Sequence, residues 1–122
     1  MKSADESSRT GPALTTAVFQ VLLSLADGDK HGYAILKDVE EASDGEVRLS
    51  TGTLYAMIKR LLGEGLIAEC RNRPAAAYDD ERRRYYSLTT QGRAAATAEA
   101  ERMEALIAMA RERKLLRKLR TV

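Results

Sequence analysis

Residues 50 to 67 read Ser-Thr-Gly-Thr-Leu-Tyr-Ala-Met-Ile-Lys-Arg-Leu-Leu-Gly-Glu-Gly-Leu-Ile, and this stretch limits what the chain can fold into more than any other. Ser50 carries a side-chain acceptor able to cap the open N–H groups of a helix start, and Gly63 and Gly65 supply the backbone freedom that ends one. The spacing predicts a helix of about three turns between them. Leu54, Ile58, Leu61 and Leu62 recur at i, i+4, i+7 and i+8, which gathers them on one stripe that must be buried. At roughly 100° per residue the opposite face centres on Gly52, Ala56 and Gly63, with Thr53, Lys59 and Arg60 flanking it and Tyr55 at its edge. A narrow ridge bordered by cations and hydrogen-bonding groups can enter a polyanionic groove, as a DNA recognition helix must. Taken alone, the pattern is better described as an amphipathic helix whose polar side is merely solvated.

The residues after the helix separate these readings. Leu66-Ile67-Ala68-Glu69-Cys70-Arg71 reads as a strand, residues 72–81 are turn-rich and contain Pro74 and Asp79-Asp80, and Arg82-Arg83-Arg84-Tyr85-Tyr86-Ser87-Leu88 reads as a second strand. Arg71 and Arg73 on one arm and Arg82, Arg83 and Arg84 on the other give this hairpin a cationic rim, so it is expected as a wing beside the recognition helix. Cys70 alternates with Leu66 and Ala68, which places it on the inward face as a structural residue. Asp79-Asp80-Glu81, next to three arginines, reads as a solvated, self-paired loop that would repel phosphate.

Upstream, Pro12 suits the first turn of a helix whose apolar face, Leu14, Val18, Val21, Leu22 and Leu25, runs until Asp27-Gly28. A second helix starts near His31, buries Ile35, Leu36 and Val39 and ends at Ser43-Asp44-Gly45, so that it and the recognition helix form a helix-turn-helix. Gly32 would let the helices approach closely. His31 is the only histidine, and no Gly-x-Ser-x-Gly elbow or comparable frame accompanies it, so it is assigned a local hydrogen bond at the helix start, or a phosphate contact when protonated, rather than catalysis.

His31-Gly32-Tyr33 at the second helix, Leu49-Ser50-Thr51-Gly52-Thr53-Leu54-Tyr55 entering the third, Lys59-Arg60-Leu61 with Glu64-Gly65-Leu66-Ile67 leaving it, and Arg84-Tyr85-Tyr86-Ser87-Leu88-Thr89 followed by Gly92-Arg93 occur in this order. On these residues the chain resembles the PadR family of winged helix-turn-helix transcriptional regulators, from about Leu14 to Met109. It departs from the pattern where Ala56 and Met57 follow Leu54-Tyr55, a place where family members often carry a large or basic residue or Pro, and base preference turns on that position.

Thr89 is a suitable N-cap, and from Gln91 to about Arg120 no proline interrupts a run rich in Ala, Glu, Arg, Met and Leu. One helix of roughly 45 Å is expected, too long for the small domain before it to cover. Ala95, Ala96, Met103, Leu106, Ile107 and Ala110 form a stripe spaced by threes and fours, narrow enough for a coiled-coil-like seam against a second copy. The resemblance implies the same: PadR-like regulators dimerise through the C-terminal helix and set two recognition helices in successive major grooves. The basic residues Arg111, Arg113, Lys114, Arg117, Lys118 and Arg120 complement the helix dipole. The short tail is similar to the subgroup with a single C-terminal helix, in which flat aromatic drugs bind between tryptophans. This chain has no Trp, which excludes that pocket, but Phe19, Tyr33 and the methionines could line another for a small apolar or aromatic effector at the seam.

Composition agrees without deciding. The chain has 122 residues, 44% of them hydrophobic, a net charge of +2 and one cysteine, which is one modest core without an intrachain disulfide, and with one histidine it lacks the ligand set of a structural zinc site. No apolar run approaches the roughly 18 residues of a membrane span and no signal-peptide pattern opens the chain, so a cytoplasmic protein without cofactor or metal is expected. The fold expected is mainly α with a small β-hairpin wing, in the α+β class: a disordered arm over residues 1–11, a winged helix-turn-helix domain over 12–88 and a dimerisation helix over 89–122. Lys2 and Arg9 in the arm could reach phosphate, although an untethered tail explains them as well. The expected function is a homodimeric repressor of a pseudo-palindromic operator. DNA contacts are assigned to Ser50, Thr51, Gly52, Thr53, Tyr55, Ala56, Lys59, Arg60, Arg71, Arg73, Arg82, Arg83 and Arg84, and dimer contacts to Ala96, Met103, Leu106, Ile107 and Ala110. The alternative is a winged-helix protein-interaction module whose basic face meets an acidic protein, with no operator.

Overall fold

Side-chain oxygens and one imidazole nitrogen set where each helix begins. In the computed structural model of the protein, residues 13–70 and 84–117 are described. They form α1 (Thr16–Ser24), β1 (Lys30–His31), α2 (Gly32–Ala42), α3 (Thr51–Gly63), β2 (Ile67–Cys70), β3 (Tyr85–Leu88) and α4 (Thr90–Glu112). Thr15 Oγ1 accepts from Val18 N–H at 3.1 Å, His31 Nδ1 from Ala34 N–H at 3.2 Å, Ser50 Oγ from Thr53 N–H at 3.1 Å and Thr89 Oγ1 from Gly92 N–H at 2.9 Å. Each satisfies an N–H that the first helical turn leaves open. The architecture is α+β, helices beside a small antiparallel sheet, as the patterning implies.

One core collects the buried stripes: Val18, Val21, Leu22 and Leu25, Ile35 and Val39 of α2, Leu54, Ile58 and Leu61 of α3, and Ile67 and Tyr86 of the sheet. Leu61 also anchors the exit from α3. Gly65, at φ +78°, bends the chain so that Leu66 N–H bonds Leu61 O at 3.0 Å and Gly65 N–H bonds Leu62 O at 3.1 Å, a Schellman end that returns Leu66 to the core. Between α2 and α3 the left-handed pair Asp44 (φ 56°) and Gly45 (φ 83°) makes the turn, and Ser43 Oγ accepts from Val47 N–H at 2.8 Å.

Several expectations are corrected. The first helix starts at Thr16 on the Thr15 cap, later than Pro12 suggested, and Leu14 precedes it with its N–H donating to Glu99 Oε1 at 3.0 Å. The sheet has a third strand, β1, in the order β1-β3-β2. In β2 it is Ile67, not the Leu66–Ala68–Cys70 set, that faces inward. Glu69 lies across from Tyr86 and Cys70 from Tyr85, and Cys70 is half-buried with its thiol donating to Asp29 Oδ2 at 3.2 Å. The turn at Gly65 lets Leu66 pack as a cap residue, so alternation starts one position later than a strand begun at Leu66 would have it. The C-terminal helix stops at Glu112 rather than near Arg120: Leu115 N–H bonds Ala110 O at 2.8 Å and Lys114 N–H bonds Arg111 O at 3.0 Å, with Lys114 left-handed at φ 66°. The arm over 1–11, Pro12, Arg71, Arg73, the loop with Asp79-Asp80-Glu81, Arg82, Arg83, Lys118 and Arg120 lie outside the described residues.

Gly92 and Gly52 make opposite demands on a side chain. A Cβ at Gly92 would collide with the Leu66 carbonyl oxygen and come within 2.9 Å of Leu88 Cδ1, whereas one at Gly52 would meet nothing within 4 Å. Gly92→Ala should therefore lower stability by about 1–3 kcal/mol, and Gly52→Ala, on an exposed helical turn, should raise it by about 0.4–1 kcal/mol. Urea titration of both variants checks the pair. Glu99 offers a second test. Its buried carboxylate accepts from Leu14 N–H and then from Arg102 (Nη2 at 2.7 Å), and these bonds hold its carboxyl below the usual carboxylate value. A depressed value gives stability that is present above the unfolded-state value, about pH 4.3, and lost as pH falls through the lower folded value. Wild type should thus melt higher than Glu99→Gln at pH 7, and thermal melts should show the gap closing below about pH 4.

Candidate nucleic-acid interface

Burying Leu54, Ile58 and Leu61 forces the opposite side of α3 outward. Thr51, Gly52, Thr53, Ala56, Lys59, Arg60 and Gly63 are all exposed, and among the described residues nothing beyond the helix's own backbone and the adjoining residues lies within 4 Å of where a Cβ on Gly52 or Gly63 would stand. The ridge expected from the periodicity is present as a free surface. Ser50 Oγ, besides capping, donates to Thr53 Oγ1 at 2.9 Å, so these two hydroxyls arrive at the surface already oriented. Lys59 is exposed and has no carboxylate partner among the described residues. Arg60 Nε donates to Glu64 Oε2 at 3.2 Å, one turn further along.

Tyr55 is placed differently from the ridge edge expected for it. It is half-buried and packs on the core, with its ring and hydroxyl over Gly32, where an added Cβ would stand 2.8 Å from Tyr55 Cζ. The close approach expected of Gly32 is thus between α2 and this tyrosine. Tyr55 sets the separation of the two helices in the helix-turn-helix.

Of the wing cations, Arg84 is described. It is exposed, and its Nε and Nη1 face Glu69 Oε2 and Oε1 at 3.3 and 3.5 Å across the β2–β3 pair. Arg71, Arg73, Arg82 and Arg83 lie outside the described residues. A cation not assigned from the sequence, Arg48, stands two residues before the α3 cap, three-quarters exposed and 3.4 Å from Glu40. Its signal was position alone: a basic residue in the turn of a helix-turn-helix.

His31 performs the local role expected of it. Its Nδ1 accepts the Ala34 N–H, and the ring lies edge-on to Tyr85 at 5.4 Å and stacks with Tyr33 at 6.4 Å. A protonated ring has no acceptor at Nδ1, so a charged His31 reaching phosphate would give up the cap. Tyr33 is exposed in an open groove with Lys37, Glu40, Glu41, Asp44 and Gly45, a polar setting unlike the apolar effector pocket considered for it. Among the described residues no group of three His, Cys, Asp or Glu could hold a metal, and no helix is long and apolar enough to cross a membrane.

Along α4 the expected seam divides in two. Ala96 packs against the chain's own core, Met103 and Ala110 are half-buried, and Leu106 and Ile107 remain 64% and 41% exposed. Met109, Leu115 and Leu116, not singled out from the sequence as seam residues, add to this exposed apolar end.

The model of the transcriptional regulator PadR-like family matches residues 21–98. Among solved structures, a PadR family transcription regulator from Clostridium difficile superposes with a TM-score of 0.66 at 22% identity, covering 80% of this chain and 97% of that one. A transcriptional regulator from Clostridium thermocellum gives 0.63 at 23%, covering 92% and 97%. A mutant of Lactococcus lactis ZitR in complex with DNA gives 0.58 at 22%, covering 92% of this chain and 64% of that one. No curated protein matches the sequence. Identities this low establish a shared fold. The family match goes further: it spans more than half of the chain, from within α1 through the helix-turn-helix and the wing strands into α4, and by it the chain belongs to the PadR-like family of transcriptional regulators, which are DNA-binding proteins and not enzymes.

Proposed function

We propose that the protein is a homodimeric repressor that occupies a pseudo-palindromic operator, with α3 of each copy in a major groove and the wing along the sugar-phosphate backbone. The observation that carries this reading is the exposed side of α3, where Gly52, Ala56 and Gly63 form a low ridge flanked by Thr51, Thr53, Lys59 and Arg60. Low side chains let the helix axis come near base edges, while the flanking donors reach bases and phosphates. Arg84, with Arg71, Arg73, Arg82 and Arg83, supplies the backbone contacts of the wing. Ser50 and Tyr55 act at the rim, the first through its hydroxyl and the second by holding α3 on α2. The Lactococcus lactis neighbour is in complex with DNA, which supports DNA as the partner. Residues 12–88 serve as the DNA-binding unit and 89–122 as the dimerisation segment.

Dimerisation is assigned to the exposed end of α4, where Leu106 and Ile107 form the centre, Met103 and Ala110 the borders, and Ala96 the inner limit against the core. A small apolar or aromatic effector that releases DNA would act at this seam, where apolar surface is concentrated.

Base readers and backbone holders should fail differently when truncated. Arg60→Ala should cost about 1–3 kcal/mol on the operator and much less on random duplex, shrinking the specificity ratio. Arg84→Ala should weaken both equally and lower the magnitude of the slope of log affinity against log salt by about one unit for each phosphate no longer neutralised. Titrations against operator and scrambled duplex at several salt concentrations check the division, and no change in either variant would replace DNA binding with a protein partner. At the seam, Leu106→Asp with Ile107→Asp buries unpaired charge in any dimer formed there. The double variant should sediment as a folded monomer that no longer binds operator, and a persisting dimer at micromolar concentration would place the interface elsewhere.

A further inference from the structure

On the reading that Arg60 contacts a base, we infer that Glu64 is the positioning residue for that contact: it holds the Arg60 guanidinium by Nε and leaves the two terminal nitrogens free to donate side by side to a guanine edge. Arg60 and Arg84, both exposed on this surface, are tied in different ways. Arg60 is held through Nε alone, at 3.2 Å from Glu64 Oε2, and neither Nη has a hydrogen-bond partner among the described residues. Arg84 is held through Nε and Nη1 by the two oxygens of Glu69, at 3.3 and 3.5 Å. Guanine presents O6 and N7 as a pair of acceptors, and an arginine reads them with two donors at once. Arg60 keeps such a pair available while anchored. The anchored edge of Arg84 is already occupied by a carboxylate, which suits that residue to a single phosphate contact.

The fold makes the arrangement at Arg60 persistent. Glu64 is the C-cap of α3, its N–H bonded to Arg60 O at 2.9 Å, so its position is fixed relative to the residue it holds. The spacing is i, i+4, the separation at which helical side chains meet. Arginine loses one of the largest side-chain entropies on immobilisation, and a partner that orders it beforehand removes part of that cost from the binding step. The pair is exposed, with side chains 59% and 48% accessible, so the gain is modest, about two- to fivefold in affinity.

This predicts an effect of opposite sign to simple electrostatics. Glu64 is an acid on a surface that meets DNA, and if charge repulsion were its whole influence, removing it would strengthen binding to every duplex. As a positioning residue, its loss in Glu64→Ala should weaken operator binding about two- to fivefold, leave random duplex unchanged or slightly tighter, and reduce discrimination at one guanine of each half-site. Glu64→Gln, which retains an acceptor for Nε and guards against a folding defect in the Ala variant, should restore most of the discrimination. In an Arg60→Ala background, Glu64→Ala should have no further effect on specificity, since the two act as one unit. The experiment measures affinities of wild type, the three single variants and the Ala double variant for operator, an operator with that guanine pair replaced, and scrambled duplex. If Arg60→Ala leaves discrimination intact, the base-reading role of Arg60 falls, and the inference with it. If Arg60→Ala loses discrimination but Glu64→Ala tightens operator and scrambled duplex alike, or acts equally without Arg60, the positioning role alone is overturned.

Discussion

Thr89 joins three elements that the chain would otherwise leave independent. Its hydroxyl accepts the Gly92 N–H to open α4 and donates to Gly65 O at 2.7 Å, while its own N–H bonds Leu66 O at 3.2 Å. One residue therefore ends the wing, starts the C-terminal helix and fastens both to the exit of α3. Each bond contributes only about 1 kcal/mol, but the geometric consequence is larger. Gly92, lacking a Cβ, lets the first turn of α4 press against the Leu66 carbonyl, and Arg93 reaches across to Ala26 O at 3.0 Å. The first turn of α4 is thus fastened to the exit of α3.

Local chemistry was legible in the sequence, and conformations without a local signal were not. Ser50 and Thr89 declare their helix starts because a hydroxyl immediately before an apolar repeat has few other uses. Thr15 does so too, but Pro12, an equally good opening signal, pointed to an earlier start. The end of α4 had no such marker, since Lys114 takes the left-handed conformation that normally selects Gly or Asn. Strand β1 has two residues, too few for any period, and exists because β3 offers it an edge. The strand parity of Cys70 depended on how Gly65 turns the backbone, which is a dihedral and not a pattern.

The same division runs through the candidate site. Burial of Leu54, Ile58 and Leu61 determined which residues of α3 are exposed, so the ridge followed from periodicity alone. Tyr55 sits at the angular boundary of that face, and its side was decided by a gap on another helix, Gly32. Among the wing cations, Arg84 alone falls within the described residues. The carboxylate partners divide likewise: Glu64 meets Arg60 through helical i, i+4 spacing, although that pair was not read from the sequence, whereas Glu69 meets Arg84 only through strand register.

A net charge of +2 on 122 residues is small for a protein whose partner is a polyanion, and the pairing of acids with arginines makes the effective local charge smaller still. Arg48, Arg60 and Arg84 each face a carboxylate, and Lys59 of α3 has no carboxylate partner among the described residues. On the proposed reading, the second copy doubles the contacts that one copy makes. Linking two contacts raises the effective concentration of the second to the millimolar range when the geometry fits. Operator occupancy then follows the dimer population steeply, because a monomer retains only its own few contacts. On the same reading, control at the exposed end of α4 would need no movement within α3, where Ser50, Tyr55 and Glu64 hold the proposed DNA-reading surface.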